Sequence, residues 1–286
     1  MKFAILSDIH ANTQALETIA DDIEKWGPDF TVVNGDIINR GPKPAECWQF
    51  VQEKVKSHHW KTTRGNHEEY VLNHLNPPEG QVFFPMSWWT LQQMGERVNE
   101  LYALKEVWSH TIRNFGEIRA THASMAGSQK GIYPRDPAEK IREYIAPAPA
   151  VLCVGHVHIP YVKVVDQTMI VNSGSAGQPC YGEKKACYAR VTLQNGAWEA
   201  EIMRLAYDRE STNQDWFQSR ILEETAKTDL MTTLIYHEWR TAHPLMLKWY
   251  FEYFPAVKAS KVQESVMLER FFRDHGLDST NKSYPL

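Results

Sequence analysis

Residues able to bind metal ions and carry protons are concentrated in a few short fragments. In chain order these are Asp8-Ile9-His10, Gly35-Asp36, Arg64-Gly65-Asn66-His67-Glu68, Thr121-His122-Ala123 and Gly155-His156-Val157-His158. Singly, each has an ordinary explanation. A strand-end Asp is usually a turn or cap residue, and a buried His is usually a hydrogen-bonded core residue. Together, with Gly or Asp at the exits of successive apolar runs, they are hard to obtain from packing demands alone. Carboxylates, imidazoles and an amide arriving from separate segments are what a site for two divalent metals needs.

The segments before these fragments read as strands, whose ends are where an open α/β sheet places its binding crevice. Residues 3–6 are apolar and stopped by Ser7 and Asp8, the pattern of a strand buried on both faces. Asn12 caps a helix carrying Leu16, Ile19, Ala20 and Ile23 at helical spacing, ended by Gly27-Pro28. Residues 30–33 form a second strand, Pro44 opens a helix to about residue 57, and residues 59–63 form a third strand. This alternation predicts a parallel sheet with helices on its faces. After a loop at residues 76–80, an amphipathic helix over 88–104 places Leu91, Met94, Val98, Leu101 and Tyr102 on one face, as a wall of the cleft or as plain packing. Strands follow at 107–113 and 117–121, a helix at 137–145, and strands at 151–154, 162–165, 169–171, 187–193 and 198–203. Gln194-Asn195-Gly196 joins the last two as a hairpin turn. The core is therefore α/β, two sheets with helices outside. From residue 206 the spacing is helical, aromatics such as Trp216, Trp239, Trp249 and Phe251 abound, and no ligand candidate occurs. Residues 1–205 are thus the domain with chemistry. Residues 206–286 are an all-helical extension that packs on the core, caps the cleft, or binds a second copy or a protein partner.

Composition narrows the classes. The 286 residues, 43% hydrophobic, suffice for one large domain or a domain with an appendage. A formal net charge of −4 without a dense Lys/Arg run argues against nucleic acid or an anionic membrane as the main partner. Cys47, Cys153, Cys180 and Cys187 form no C-x-x-C pair and read as reduced thiols of a cytoplasmic protein. The first apolar run is too short for a signal peptide or a membrane span.

The fragments and their order resemble the calcineurin-like metallophosphoesterase superfamily, over roughly residues 1–205. That superfamily includes phosphoprotein phosphatases, dinucleoside tetraphosphatases and bacterial phosphodiesterases. The resemblance implies a two-sheet αββα sandwich and two divalent transition-metal ions, Mn, Fe, Zn or similar. It implies that Asp8, His10 and His158 hold one metal, that Asn66, His122 and His156 hold the other, and that Asp36 bridges them. Gly35, Gly65 and Gly155 would relieve crowding where backbone approaches the site. Water on such metals ionises near neutral pH, so the implied reaction is hydroxide attack on a phosphodiester or phosphomonoester. His67 is then the catalytic acid for the leaving oxygen, or else a hydrogen-bonding support for its neighbours. Arg40, Arg64 and Asn66 are candidate contacts to a small phosphorylated substrate, since a guanidinium matches phosphate oxygens. Arg64 could equally pair with a structural carboxylate, and Glu68 reads as a residue that orients its neighbours.

Two departures bear on the substrate. Phosphoprotein phosphatases carry Asp where this chain has Asn39, and Asn cannot supply the charge that raises the imidazole's pKa. This argues against a Ser/Thr protein phosphatase. The stretch Asn172-Ser173-Gly174-Ser175-Ala176-Gly177-Gln178-Pro179 resembles the bacterial phosphodiesterase-like branch, but Cys180 and Tyr181 stand where an Arg is common there. A dinucleoside polyphosphate hydrolase is the alternative enzyme. A non-catalytic scaffold, as in retromer-type coats, is the alternative from another class, and the retained His67 argues against it.

Overall fold

In the computed structural model, which describes residues 1–79, 83–225 and 230–277, the first strand sits at the centre of the first of two sheets. The elements begin with β1 (Lys2–Leu6), α1 (Thr13–Trp26), β2 (Phe30–Asn34), α2 (Pro44–Ser57), β3 (Lys61–Thr63), α3 (Asn66–Leu72) and α4 (Pro85–Met94). They continue through β4 (Val107–Ile112), β5 (Gly116–Thr121), α5 (Ala138–Ile145), β6 (Val151–Val154), β7 (Tyr161–Val165), β8 (Thr168–Asn172), β9 (Ala186–Gln194) and β10 (Ala197–Leu205). The C-terminal helices are α6 (Arg209–Gln218), α7 (Ile221–Thr225), α8 (Leu230–Thr241), α9 (Leu245–Lys248), α10 (Phe254–Lys258) and α11 (Glu264–Asp274).

The sheets have strand orders β10-β9-β1-β2-β3 and β4-β5-β6-β8-β7. Both are mixed. Strands β1, β2 and β3 run parallel, as do β5, β6 and β8, with antiparallel strands outside them. Side chains of β1 alternate between two apolar layers. Phe3 and Ile5 pack between the sheets with Ile118, Val151 and Val171. Ala4 and Leu6 pack with Leu16, Ile19 and Trp48 of the covering helices. Helix α5 covers the other sheet through Ile141 and Ile145. The layers are therefore αββα, as expected.

Local signals act as read. Asn12 accepts a hydrogen bond from Ala15 N, and Gly27 ends α1 in the left-handed region at φ 63°. Asn195 and Gly196, at φ 52° and 80°, make the tight turn between β9 and β10. Two boundaries differ from expectation. The third strand starts at Lys61 because His59 adopts φ 59°, outside the extended region. The helix expected over 88–104 begins at Pro85, stops at Gly95 and continues as a 3₁₀ segment, Gly95–Ala103. Its Leu91, Met94, Val98 and Leu101 join the core, whereas Tyr102 is exposed. Of the loop at 76–80, Gly80 lies outside the described residues.

The C-terminal helices gather around Trp216, Tyr236, Trp239, Trp249 and Phe271, and Met86 and Trp89 of α4 complete that cluster. Gln14 Nε2 donates to Asp215 Oδ2 at 2.8 Å, tying α6 to α1. Among the described residues no helix is long and apolar enough to cross a membrane. Trp249 is fully buried. Trp249→Ala should therefore cost about 3–5 kcal/mol, measurable as a lower midpoint in urea unfolding, whereas a change under about 1 kcal/mol would mean the cluster is loosely packed.

Candidate dinuclear metal centre

Every candidate ligand sits just past the carboxyl end of a parallel strand. Asp8 and His10 follow β1, Asp36 follows β2, Asn66 follows β3, His122 follows β5, and His156 and His158 follow β6. These ends gather at one edge of the sandwich. The backbone there is left-handed, with φ 57° at Asp8, 48° at His10, 54° at Asp36, 67° at Arg40, 65° at His156 and 59° at His158. Each such residue costs on the order of 1–3 kcal/mol and persists only where its surroundings enforce it. Glycine is required where the loops touch. A Cβ on Gly65 would lie 2.1 Å from Asp36 Oδ1, and one on Gly155 would lie 2.0 Å from Ser7 Oγ.

The donor atoms converge in two groups, Asp8 with His10 and His158, and Asp36 with His122 and His156, each within 4.8 Å. Asp36 Oδ2 lies 3.2 Å from His122 Nε2 and 3.9 Å from His10 Nε2, so one oxygen faces both groups. Asn66 Oδ1 lies 3.0 Å from His122 Nε2 and 2.9 Å from His156 Nδ1, which brings the amide into the second group. Asp8 Oδ1 and His10 Nε2 each lie 3.1 Å from His158 Nε2. The rings are oriented from behind. Nδ1 of His10, His122 and His158 faces the carbonyls of Asn39, Asn34 and Gln178 at 3.1, 2.9 and 3.2 Å. That arrangement leaves Nε2 as the nitrogen offered to the centre.

Glu68 accepts hydrogen bonds from the backbone N–H groups of Asp36, Ile37 and Gly65 at 2.9, 2.7 and 2.8 Å. It orients its neighbours, as read. Asp36 Oδ1 accepts from His67 N at 2.9 Å, which frees Oδ2 for the centre. Asn34 was not anticipated. It is buried, donates to the Thr121 carbonyl at 2.9 Å, accepts from Thr63 Oγ1 at 2.8 Å, and so links both sheets behind the site. In the sequence it is only a polar residue closing an apolar run.

Burial works against both carboxylates, yet both are held ionised. Burial pushes Asp8 up, but His158 and His122 draw it down to about 2. Burial likewise opposes ionisation of Asp36, and His122 holds it well below the usual range. For His122 burial lowers the pKa, but Asp36 and then Asp8 push it up to about 10. Burial and the repulsion of His158 bring His10 down to about 3, while burial and His122 bring His156 down to about 4. A proton on His122 thus balances charge that a cation would otherwise balance. Asp8 Oδ1 is fully buried and faces the Nε2 edge of His158 at 3.1 Å, a position a cation between them would also occupy. The oxygen and nitrogen donors fit divalent Mn, Fe or Zn. Cys180, in the adjoining wall, is kept a thiol by burial.

A cavity of about 270 Å³ opens over Asp36, Asn66 and His156. Arg40 and His67 line it, and Arg40 makes no ion pair among the described residues. Asn39 Nδ2 lies 3.0 Å from His67 Nδ1. The amide's orientation is set by Arg40 N donating to Asn39 Oδ1 at 3.0 Å, so Asn39 Nδ2 must donate and His67 Nδ1 accept. The neutral ring therefore carries its proton on Nε2. Burial, then Arg40, lowers the pKa of His67 well below its ordinary value. Arg64 lies apart from the cavity walls, with Nη2 3.3 Å from Glu106 and Nε 4.0 Å from Glu69, the structural pairing its sequence context left open. Glu238 of α8 lines the cavity and was not anticipated, because nothing in the helical tail marks it. It accepts from Gln178 Nε2 at 3.1 Å and Met246 N at 2.6 Å.

Residues 1–196 match the sequence profile of the calcineurin-like phosphoesterase superfamily domain. The chain is 26% identical over 245 residues to the uncharacterized protein MJ0912 of Methanocaldococcus jannaschii, spanning 77% of this chain and 93% of that protein. In structure it is similar to the hypothetical protein PH1004 from Pyrococcus horikoshii OT3, with TM-score 0.68 and 20% identity over 79% of this chain and 96% of that one. It is also similar to a metallophosphoesterase from Sphaerobacter thermophilus, with TM-score 0.63 and 23% identity over 85% of this chain and 100% of that one. At these identities the structural likeness supports the sandwich fold.

Two outcomes follow for metal binding. Asp36→Asn should weaken both ions while the fold survives, so elemental analysis should find close to two per chain in the wild type and fewer than one in the variant, given the bridging position. Cation uptake should also expel the proton from His122, so affinity should fall as pH falls. Calorimetry in buffers of different ionisation enthalpy should then register proton release, and its absence near neutral pH would contradict a protonated His122.

Proposed function

The chain belongs to the calcineurin-like phosphoesterase superfamily, and from that premise we propose that it hydrolyses phosphodiesters or phosphomonoesters with two divalent metal ions. Asp8, His10, Asp36, Asn66, His122, His156 and His158 would hold them. The observation that carries this reading is the pair of converging donor groups, in which buried Asp8 Oδ1 faces His158 Nε2 at 3.1 Å, beside a cavity whose Arg40 makes no ion pair among the described residues. When bound, the ions supply activation of a water and neutralisation of phosphoryl charge.

The chain's own residues do the rest. Arg40 pairs with phosphoryl oxygens, since it lines the cavity and makes no ion pair among the described residues. Asn66 lines the cavity and contacts the phosphoryl group as well. His67 presents Nε2–H to the leaving oxygen while Asn39 holds Nδ1. A neutral ring parts with a proton less readily than an imidazolium, so the site suits esters whose leaving oxygen needs little help. Asn39 also disfavours the protein-phosphatase reading, because it offers Nδ1 no charge. Burial of the unpaired Cys47, Cys153, Cys180 and Cys187 supports a cytoplasmic setting.

A screen of Mn(II)-, Fe(II)- or Zn(II)-loaded protein against nucleotides, dinucleoside polyphosphates, phosphopeptides and simple diesters tests the activity, and silence across all of them would overturn it. Within an active panel, His67→Asn should keep its metals and lose roughly 10²-fold in kcat on alkyl esters, the low end for a lost general acid. Asn39→Asp should raise the alkyl-to-nitrophenyl rate ratio, because a carboxylate would accept Nδ1–H and favour the imidazolium. An unchanged ratio would show that Asn39 does not set the proton on His67.

A further inference from the structure

The cavity has an aromatic lining that hydrolysis alone does not use. Tyr133 of the core supplies it together with Tyr250 and Phe251 from the C-terminal helices, whereas Tyr70 stands by the candidate ligands, its ring 5.1 Å from His67. The Phe251 and Tyr133 rings lie 6.2 Å apart, near perpendicular at 70°. Tyr250 is 46% exposed and Phe251 66%, so neither ring is accounted for by packing in the folded core. The backbone that carries them is a π-helical segment, Trp249–Tyr253. Its wider turn lets Trp249 anchor in the tail cluster while the next two rings emerge at the cavity, and such insertions concentrate at functional sites. Arg40 and the candidate metal ligands Asp36, Asn66, His156 and His158 line the same cavity.

We propose that this aromatic lining is a subsite for the organic part of the ester, and that the preferred substrates carry a planar aromatic group. The phosphoryl group lies at Arg40, and the aromatic ring of the same ester lies against Phe251, Tyr250 and Tyr133. The inference rests on the phosphoester reading and names its substrate class. Inorganic phosphate or a short alkyl ester leaves these rings in water, whereas a planar ring covers them through offset or edge-on contacts. The C-terminal helices thereby determine specificity, although they supply no metal ligand.

Phenylphosphonate and methylphosphonate share the anionic head, differ in the organic group, and resist hydrolysis at the P–C bond. Calorimetry on the Mn(II)-loaded full chain should find phenylphosphonate bound roughly tenfold more tightly. In Tyr250→Ala combined with Phe251→Ala the ratio should fall to about one. The variant should unfold at nearly the wild-type temperature, because neither ring belongs to the buried cluster of the C-terminal helices. Equal affinities in the wild type, or a ratio that survives the double substitution, would overturn the subsite. If neither phosphonate binds, the phosphoester reading of the cavity fails and takes the subsite with it. Turnover of the ester panel without an aromatic preference overturns the subsite alone.

Discussion

The Glu68 carboxylate is the interaction on which the site's geometry depends. It sits at the third position of α3 and gathers the N–H groups of Asp36, Ile37 and Gly65. Burial and the charge of Asp36 push its pKa up to about 6, and the three backbone donors act against that shift. This one side chain locks the loop after β2 to the loop after β3. Asp36 is then held so that one oxygen takes the His67 N–H and the other faces two imidazoles. Without that lock, the left-handed backbone at Asp36 and Arg40 would have little reason to persist.

The rest of the centre shows the same division between strain and support. Asp8, His10, Asp36, Arg40, His156 and His158 hold positive φ values in the loops after β1, β2 and β6. Asn34 ties the two sheets directly behind them, through Thr63 on one side and Thr121 on the other. Imidazoles aimed from backbone carbonyls cannot turn to satisfy one another. The centre therefore keeps a buried carboxylate oxygen facing imidazole nitrogens rather than collapsing around it. Such preorganisation is useful only if a cation completes it.

The C-terminal helices alter the picture of an appendage. Their apolar cluster needs Met86 and Trp89 from α4, and Glu238 contacts Gln178, whose carbonyl faces His158. They form one wall of the cavity as well. The metal-ligand candidates and the wall that selects among ligands thus come from parts of the chain with different sequence character.

Much was legible in the sequence because it is local. A buried strand needs an apolar run, and the residue that ends it is where a ligand can stand, so Asp8, Asp36, Asn66, His122, His156 and His158 could be read from runs and exits. The order of the fragments carried the family resemblance, and Asn12, Gly27 and Asn195-Gly196 act through their immediate neighbours. What only tertiary structure decided depends on residues far apart in the chain. The direction of the Asn39 amide, and with it the proton on His67, is fixed beyond its neighbour Arg40 by α4, where Thr90 Oγ1 donates to Asn39 Oδ1 and Ser87 Oγ accepts from Asn39 Nδ2. The pairing of Arg64 with Glu106 instead of the cavity is a matter of three-dimensional position. The roles of Asn34, Glu238, Tyr250 and Phe251 arise from contacts that no periodicity encodes, because a side chain's surroundings are fixed only once distant elements have packed against it.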